Sequence, residues 1–180
     1  MKKLNSNGIK TQGQEWYGVD KLEIFYPAVS SCITVTCVVK EGLAGLHLAS
    51  MSFSTDADIA EYGKIAQGAT AMYVVGMLSL RWESTSTEAK RNNTGLTYGA
   101  GDGGTLIARL RENTGFAGIV QVNDTSRPDA ELDITAKLAG GAVIFRVADN
   151  LCEEQLVKFT SIAGNVILPS PIASSGCIIL

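Results

Sequence analysis

The sequence predicts an α+β fold: a layered, sandwich-like core of mostly antiparallel β-sheet with two or three flanking helices. Three observations predict it. Short segments rich in β-branched residues are bounded by turn residues, beginning with the run Ile33-Thr34-Val35-Thr36-Cys37-Val38-Val39. Two other segments, around Ile59 and around Leu106, carry apolar residues at helical spacing. Finally, 46% of the 180 residues are hydrophobic and 18% are charged, enough apolar mass for one core and too little charge for a disordered chain.

Residues 1–15 are polar and rich in Gly, Asn and Gln, and are expected as a loose N-terminal arm on a single α+β domain spanning residues 16–180. Residues 21–26 alternate and stop at Pro27, a strand pattern. Residues 33–39 form the stronger strand, Lys40-Glu41-Gly42 a turn, and residues 43–48 the return, so residues 32–48 read as a hairpin. Ser54-Thr55-Asp56 offers a helix N-cap, Ile59, Tyr62, Gly63, Ile65 and Ala66 continue it, and Gly68 ends it. Asp56, Asp58 and Glu61 suit its first turn through the helix dipole. The apolar run 71–80 reads as one buried central strand, and residues 83–93 as a loop or short helix. A second amphipathic helix covers residues 105–113 and stops at Thr114-Gly115. Strands follow at 117–122, 132–138, 143–147 and 166–168; between the last two, Asn150 and Glu153 form a capping-box pattern for a short helix through about Phe159. Trp16, Tyr17 and Trp82 suit core or edge packing, or the rim of a binding face.

Charge and cysteine usage exclude several classes. The net charge is −3 and no long basic run occurs, which argues against a nucleic-acid partner. Lys2 and Lys3 are followed by no apolar stretch of a signal peptide, and no run of 18 apolar residues is present, so no membrane span is expected. The expected location is the cytoplasm, or outside the cell by a route without a cleaved signal. Four cysteines and one histidine, with no Cys-x-x-Cys, do not make a zinc site; no metal or cofactor is expected. In a reducing compartment these cysteines are expected as thiols, mostly small core residues. The ending Cys177-Ile178-Ile179-Leu180 matches a prenylation pattern without a polybasic stretch beside it, and reads more simply as a hydrophobic tail finishing a strand.

Gly99-Ala100-Gly101-Asp102-Gly103-Gly104 contains the spacing of a dinucleotide fingerprint ahead of a helix, with Asp124 twenty residues after Gly104. The lead from Arg91 to Tyr98 is not the hydrophobic strand that the fingerprint requires. Gly101, Asp102 and Gly103 are therefore read as a flexible loop near the helix start, or alternatively as a loop that borders a cleft and shapes substrate access.

The chemistry-bearing pair is Cys32 and His47. A thiol hydrolase needs a sulfur nucleophile and a base within hydrogen-bond reach that takes and returns a proton. The hairpin supplies closeness, but a turn centred near Glu41 leaves the two residues about three positions out of register, roughly 10 Å. A bulge or bend at Ser30-Ser31 is the device expected to close that gap.

Val29-Ser30-Ser31-Cys32, followed fifteen residues later by His47 after a glycine-containing turn, resembles the active-site segment of bacterial glutamine deamidases. These are the cytotoxic necrotizing factor catalytic domain, Burkholderia lethal factor and, more distantly, the chemoreceptor glutamine deamidase. In the toxins a Leu-Ser-Gly-Cys motif opens a strand and the histidine follows on its neighbour. This chain keeps the serine and the cysteine, with Val29 for the leucine and Ser31 for the glycine, and the likeness covers about 20 residues. It implies Cys32 as nucleophile and His47 as base, with Ser30 and Ser31 as motif support. The implied substrate is a protein carrying an exposed glutamine, with transglutamination as a side activity. The third catalytic element varies in these families, often a backbone carbonyl or a hydroxyl, and no residue here matches it by motif. The competing readings are a non-catalytic binding or homo-oligomeric module of the same fold with Cys32 packed in the core, and a thiol hydrolase or protease on another substrate.

Overall fold

The computed structural model describes residues 1–8, 12–83, 94–99, 104–125 and 131–149, with short strand segments at 155–156, 160–163 and 166–167. Its centre is the hairpin of β4 (Cys32–Val39) and β5 (Gly42–Ala49). Both strands are buried along nearly their whole length. That follows from a layer on each side, and it explains why β5 lacks the polar alternation of a half-exposed strand.

The hairpin lies in a seven-stranded sheet of order β12-β11-β7-β6-β4-β5-β2. Its other members are β2 (Tyr17–Asp20), β6 (Ala71–Gly76), β7 (Val120–Asp124), β11 (Thr160–Ala163) and β12 (Val166–Ile167). All its pairings are antiparallel except β6 with β7. A five-stranded sheet of order β1-β3-β8-β9-β10 packs against it. This second sheet comprises β1 (Lys2–Lys3), β3 (Glu23–Val29), β8 (Leu132–Ala139), β9 (Ala142–Asp149) and β10 (Gln155–Leu156). Helices α1 (Thr55–Ile65) and α3 (Gly104–Thr114) cover the opposite face of the larger sheet, and α2 (Leu78–Arg81) is a single turn after β6. The layered, mostly antiparallel α+β architecture, with three helices among the described residues, is as the sequence predicts.

Two cores result, one on each side of the larger sheet. Ile33, Val35, Leu46, Leu48 and Val74 meet Tyr62 and Leu110 on the helix side. Cys32, Leu43 and Val75 meet Leu4, Ile24 and Ile134 between the sheets. Gly45 is required at that inner surface, because a Cβ there would collide with the Tyr26 hydroxyl, with Ile24 and with Leu4. Among the described residues, no helix is long and apolar enough to cross a membrane.

Several expectations are corrected. Residues 1–8 are not loose: Leu4 is fully buried, β1 pairs with β3, and Leu4 N–H donates to the Phe25 carbonyl at 2.9 Å. A short polar segment can be held this firmly because its backbone groups complete a sheet edge. The apolar run 71–80 is not one strand. It ends at Gly76, and the Asp124 carboxylate accepts from the amides of Leu78 (3.0 Å) and Ser79 (3.2 Å), which starts α2. Ser54 stands at the N-cap of α1 but gives its hydroxyl to Asp58 at 2.8 Å rather than capping the backbone. Residues 155–156, expected in a helix, pair with β9 and extend its sheet.

Candidate active site

β3 belongs to the smaller sheet and β4 to the larger, so the chain changes sheet at Ser30-Ser31. The last stretch of β3 is bulged. Tyr26 pairs with Ile134 and Val29 with Leu132, so three steps on β3 match two on β8. Ala28 in that bulge has φ of 56°, a left-handed conformation unusual for a residue with a Cβ. The bend thus falls at residues 27–28, just ahead of the expected Ser30-Ser31. Ser30 is exposed and Ser31 half-buried; the Ser31 carbonyl accepts from Trp82 Nε1 at 3.1 Å, which ties the corner to a fully buried indole.

The bulge is not what brings Cys32 and His47 together. Their closeness comes from the hairpin register, which differs from the expected one. Thr34 pairs with His47, Cys32 with Ala49 and Val39 with Gly42, so Lys40 and Glu41 form a two-residue turn. Cys32 is therefore two positions from His47, not three. The parity matters more than the distance: directly paired residues share a face and side chains alternate along a strand, so an even offset leaves both on the same face. Diagonal neighbours of this kind stand roughly 7 Å apart at their stems. Both side chains point between the sheets.

His47 is fully buried. Its Nδ1 lies 2.9 Å from the Leu4 carbonyl oxygen, an acceptor only, so Nδ1 carries the hydrogen. Burial pushes the imidazole pKa down to about 4, opposed by that hydrogen bond, so the ring is neutral at physiological pH. Nε2 is consequently a lone-pair acceptor, and it is buried without a hydrogen-bond partner. Tyr26 packs edge-on against the ring, with centroids 6.0 Å apart and planes at 86°. The Thr34 hydroxyl beside it donates to the Val75 carbonyl at 3.1 Å and so does not orient the imidazole.

Cys32 is 5% exposed. Its Sγ donates to Ser6 Oγ at 3.4 Å. Burial raises the thiol pKa; the Ser6 hydroxyl, the backbone amides of Ser30 and Ser31 and the Ser31 side chain act in the opposite direction. The resting pair is a thiol and a neutral imidazole, and no hydrogen bond yet joins them.

The N-terminal segment supplies the remaining contacts. Asn7 N–H donates to the His47 carbonyl at 3.1 Å, and Asn7 Oδ1 accepts from Ala49 N–H at 2.7 Å. Asn7 Nδ2 donates to Asp58 Oδ2 at 2.7 Å, and Trp16 Nε1 donates to Asp58 Oδ1 at 3.0 Å. Asp58, which the sequence suggests as a dipole partner of α1, is instead a buried hub for the segment beside His47. On the outer side of Asn7 and Gly8 lies an open depression of about 530 Å³, bordered by Met51, Ser52, Phe53 and Ser54. Phe53 is 90% exposed.

Leu4, Ser6, Asn7, Asp58 and Trp82 have no motif that marks them, and four of them act through backbone groups or contacts more than 40 residues away. Gly101, Asp102, Gly103 and Cys177 lie outside the described residues. Residues 94–99 ahead of the glycine motif form no strand, and the Asp124 carboxylate faces the start of α2, so the fingerprint lacks its structural context. Among the described residues, no cluster of three or more His, Cys, Asp or Glu could hold a metal ion. No protein-family model matches the chain, and comparison with curated proteins finds no match.

Proposed function

We propose that the protein is a cysteine-histidine amidohydrolase that deamidates glutamine side chains in a protein substrate. One observation carries this reading. Cys32 and His47 share a face, and His47 presents a buried, partnerless Nε2 lone pair while its Nδ1 hydrogen is held by the Leu4 carbonyl. A buried acceptor without a partner is costly in a structure that serves stability alone. It is what a general base needs.

His47 Nε2 takes the proton from Cys32 Sγ as the sulfur attacks the carboxamide carbon. The amides of Ser30 and Ser31, which act on the Cys32 sulfur at rest, are the donors this reading assigns to the oxyanion as charge develops. The proton then passes from His47 to the departing ammonia, leaving a thioester that water hydrolyses to a carboxylate. An amine in place of water gives transglutamination. Because Cys32 is 5% exposed, a long, thin side chain reaches it more readily than a peptide backbone does, which favours a side-chain amide over a peptide bond as substrate.

Ammonia release and the amide-to-acid mass shift on glutamine-containing proteins test the reading, with Cys32→Ala as control. Release that persists in the Cys32→Ala variant sinks it. A Cys32 that stays unreactive to iodoacetamide until the protein unfolds favours the alternative, a binding module with this thiol packed in its core.

A further inference from the structure

Ser6 is half-buried and stands next to the sulfur on the N-terminal segment, between the buried Leu4 and Asn7. It is held by contacts on both sides: Asn5 N–H donates to the Glu15 carbonyl at 2.8 Å, and Asn7 is pinned to His47, Ala49 and Asp58. Its oxygen accepts from Cys32 Sγ at 3.4 Å and from Gly8 N–H at 3.2 Å. Neither contact uses the hydroxyl's own hydrogen. We infer that Ser6 is a further catalytic residue, a hydroxyl that turns from accepting the Cys32 thiol to donating to the thiolate as the proton moves to His47.

This inference rests on the Cys32–His47 reading of the site. When the S–H bond breaks, its electron pair stays on sulfur and its proton goes to His47 Nε2. The charge then sits in an apolar inter-sheet layer that contains Leu4, Val29 and Met77. An anion there needs donors already in place. Rotation about one bond brings the Ser6 hydrogen to the sulfur without moving the backbone. Among the described residues, the titratable side chains on this inner surface besides Cys32 itself are His47 from β5, Tyr26 from β3 and Tyr73 from β6, while the Asp58 carboxylate of α1 meets the same N-terminal segment through Asn7. His47 and the two tyrosines are uncharged at neutral pH, so none of them competes as an ion with the hydroxyl dipole.

The test is the pH dependence of Cys32 alkylation by iodoacetamide, followed by mass spectrometry of the Cys32 peptide in the full chain. The midpoint of the profile reports the thiolate, whereas the plateau also reports access. In Ser6→Ala the midpoint is expected to rise by roughly one pH unit, and the rate at pH 7.5 to fall about tenfold relative to the plateau, the size of one hydrogen bond to a charged group. Ser6→Thr is expected to restore the wild-type midpoint. A Ser6→Ala midpoint equal to that of the wild type overturns the inference. Should Ser6→Ala fail to fold, Ser6→Val against Ser6→Thr makes the same comparison at equal side-chain shape, and equal midpoints there also overturn it. Ammonia release by the wild-type protein is read separately. If it is absent while the midpoint shift is present, the deamidase reading fails and the Ser6 contact stands.

Discussion

The Leu4 carbonyl oxygen sits 2.9 Å from His47 Nδ1, so a backbone group 43 residues upstream decides which ring nitrogen of His47 carries hydrogen. That bond leaves Nε2 as the free lone-pair acceptor, the atom that the proposed mechanism uses as base. His47→Ala is expected to lower turnover by about 10² to 10⁴, the usual contribution of a positioned general base. Steady-state kinetics on a glutamine-containing substrate checks this, and a loss below about fivefold would rule His47 out as the base.

The buried imidazole also makes stability depend on pH. Its folded pKa of about 4 lies below the unfolded value of 6.5, so between those values the unfolded chain binds a proton that the folded protein does not. The stability associated with a neutral His47 is complete above about pH 6.5. It is lost as the pH falls toward 4, by up to about 3 kcal/mol. Urea unfolding at pH 7.5, 5.5 and 4.5 reads this directly. The slope is expected to flatten in His47→Gln, and a slope unchanged by that substitution would assign the acid sensitivity elsewhere.

Asp58 accepts three hydrogen bonds in a nearly buried position, from Asn7, Trp16 and Ser54. Asp58→Ala removes the acceptor these three donors share and is expected to cost about 3 kcal/mol. Because Asn7 also holds the His47 carbonyl and the Ala49 amide, Trp16 fluorescence should report loosening of the N-terminal segment before global unfolding. Coincident transitions for Trp16 and for the sheet would contradict this.

Phe53 is 90% exposed beside the depression at Asn7 and Gly8. Phe53→Ala is expected to change stability by no more than about 0.5 kcal/mol, as is usual for exposed positions. If the substrate protein rests on this loop, the variant raises KM several-fold and leaves kcat near that of the wild type. A fall in kcat with KM unchanged would count against that placement.

Much of this architecture can be read from the sequence because it is written in local pattern. The β-branched run 33–39 and the apolar positions of α1 and α3 each encode their own element. The chemistry of Cys32 and His47 is equally visible as residue types. Their relation is not, because it depends on parity. A turn one half-step later would put His47 on the helix side, and Gly42 draws attention away from Lys40-Glu41 as the true turn. The N-terminal segment misleads for a different reason. Its polar residues predict looseness, whereas their burial comes from partners on β3, β5 and α1 that no local window contains. The break of the run 71–80 at Gly76 is likewise imposed by Asp124, 46 residues from Leu78.

The hairpin and the segment that completes it have different origins in time as well as in space. β4 and β5 are joined by a two-residue turn, so Cys32 and His47 become neighbours through local closure, a microsecond-scale event for an ordinary hairpin. Leu4 and Ser6 reach them only when the two sheets have docked and the chain's first residues have threaded along β3. A half-folded molecule would therefore hold Cys32 and His47 side by side with neither the imidazole oriented by Leu4 nor the sulfur in contact with Ser6. Under the proposed reading, turnover at Cys32, as distinct from simple alkylation of an exposed thiol, would serve as a gauge of native docking, absent from nascent or misassembled chains and switched on by the final step of folding.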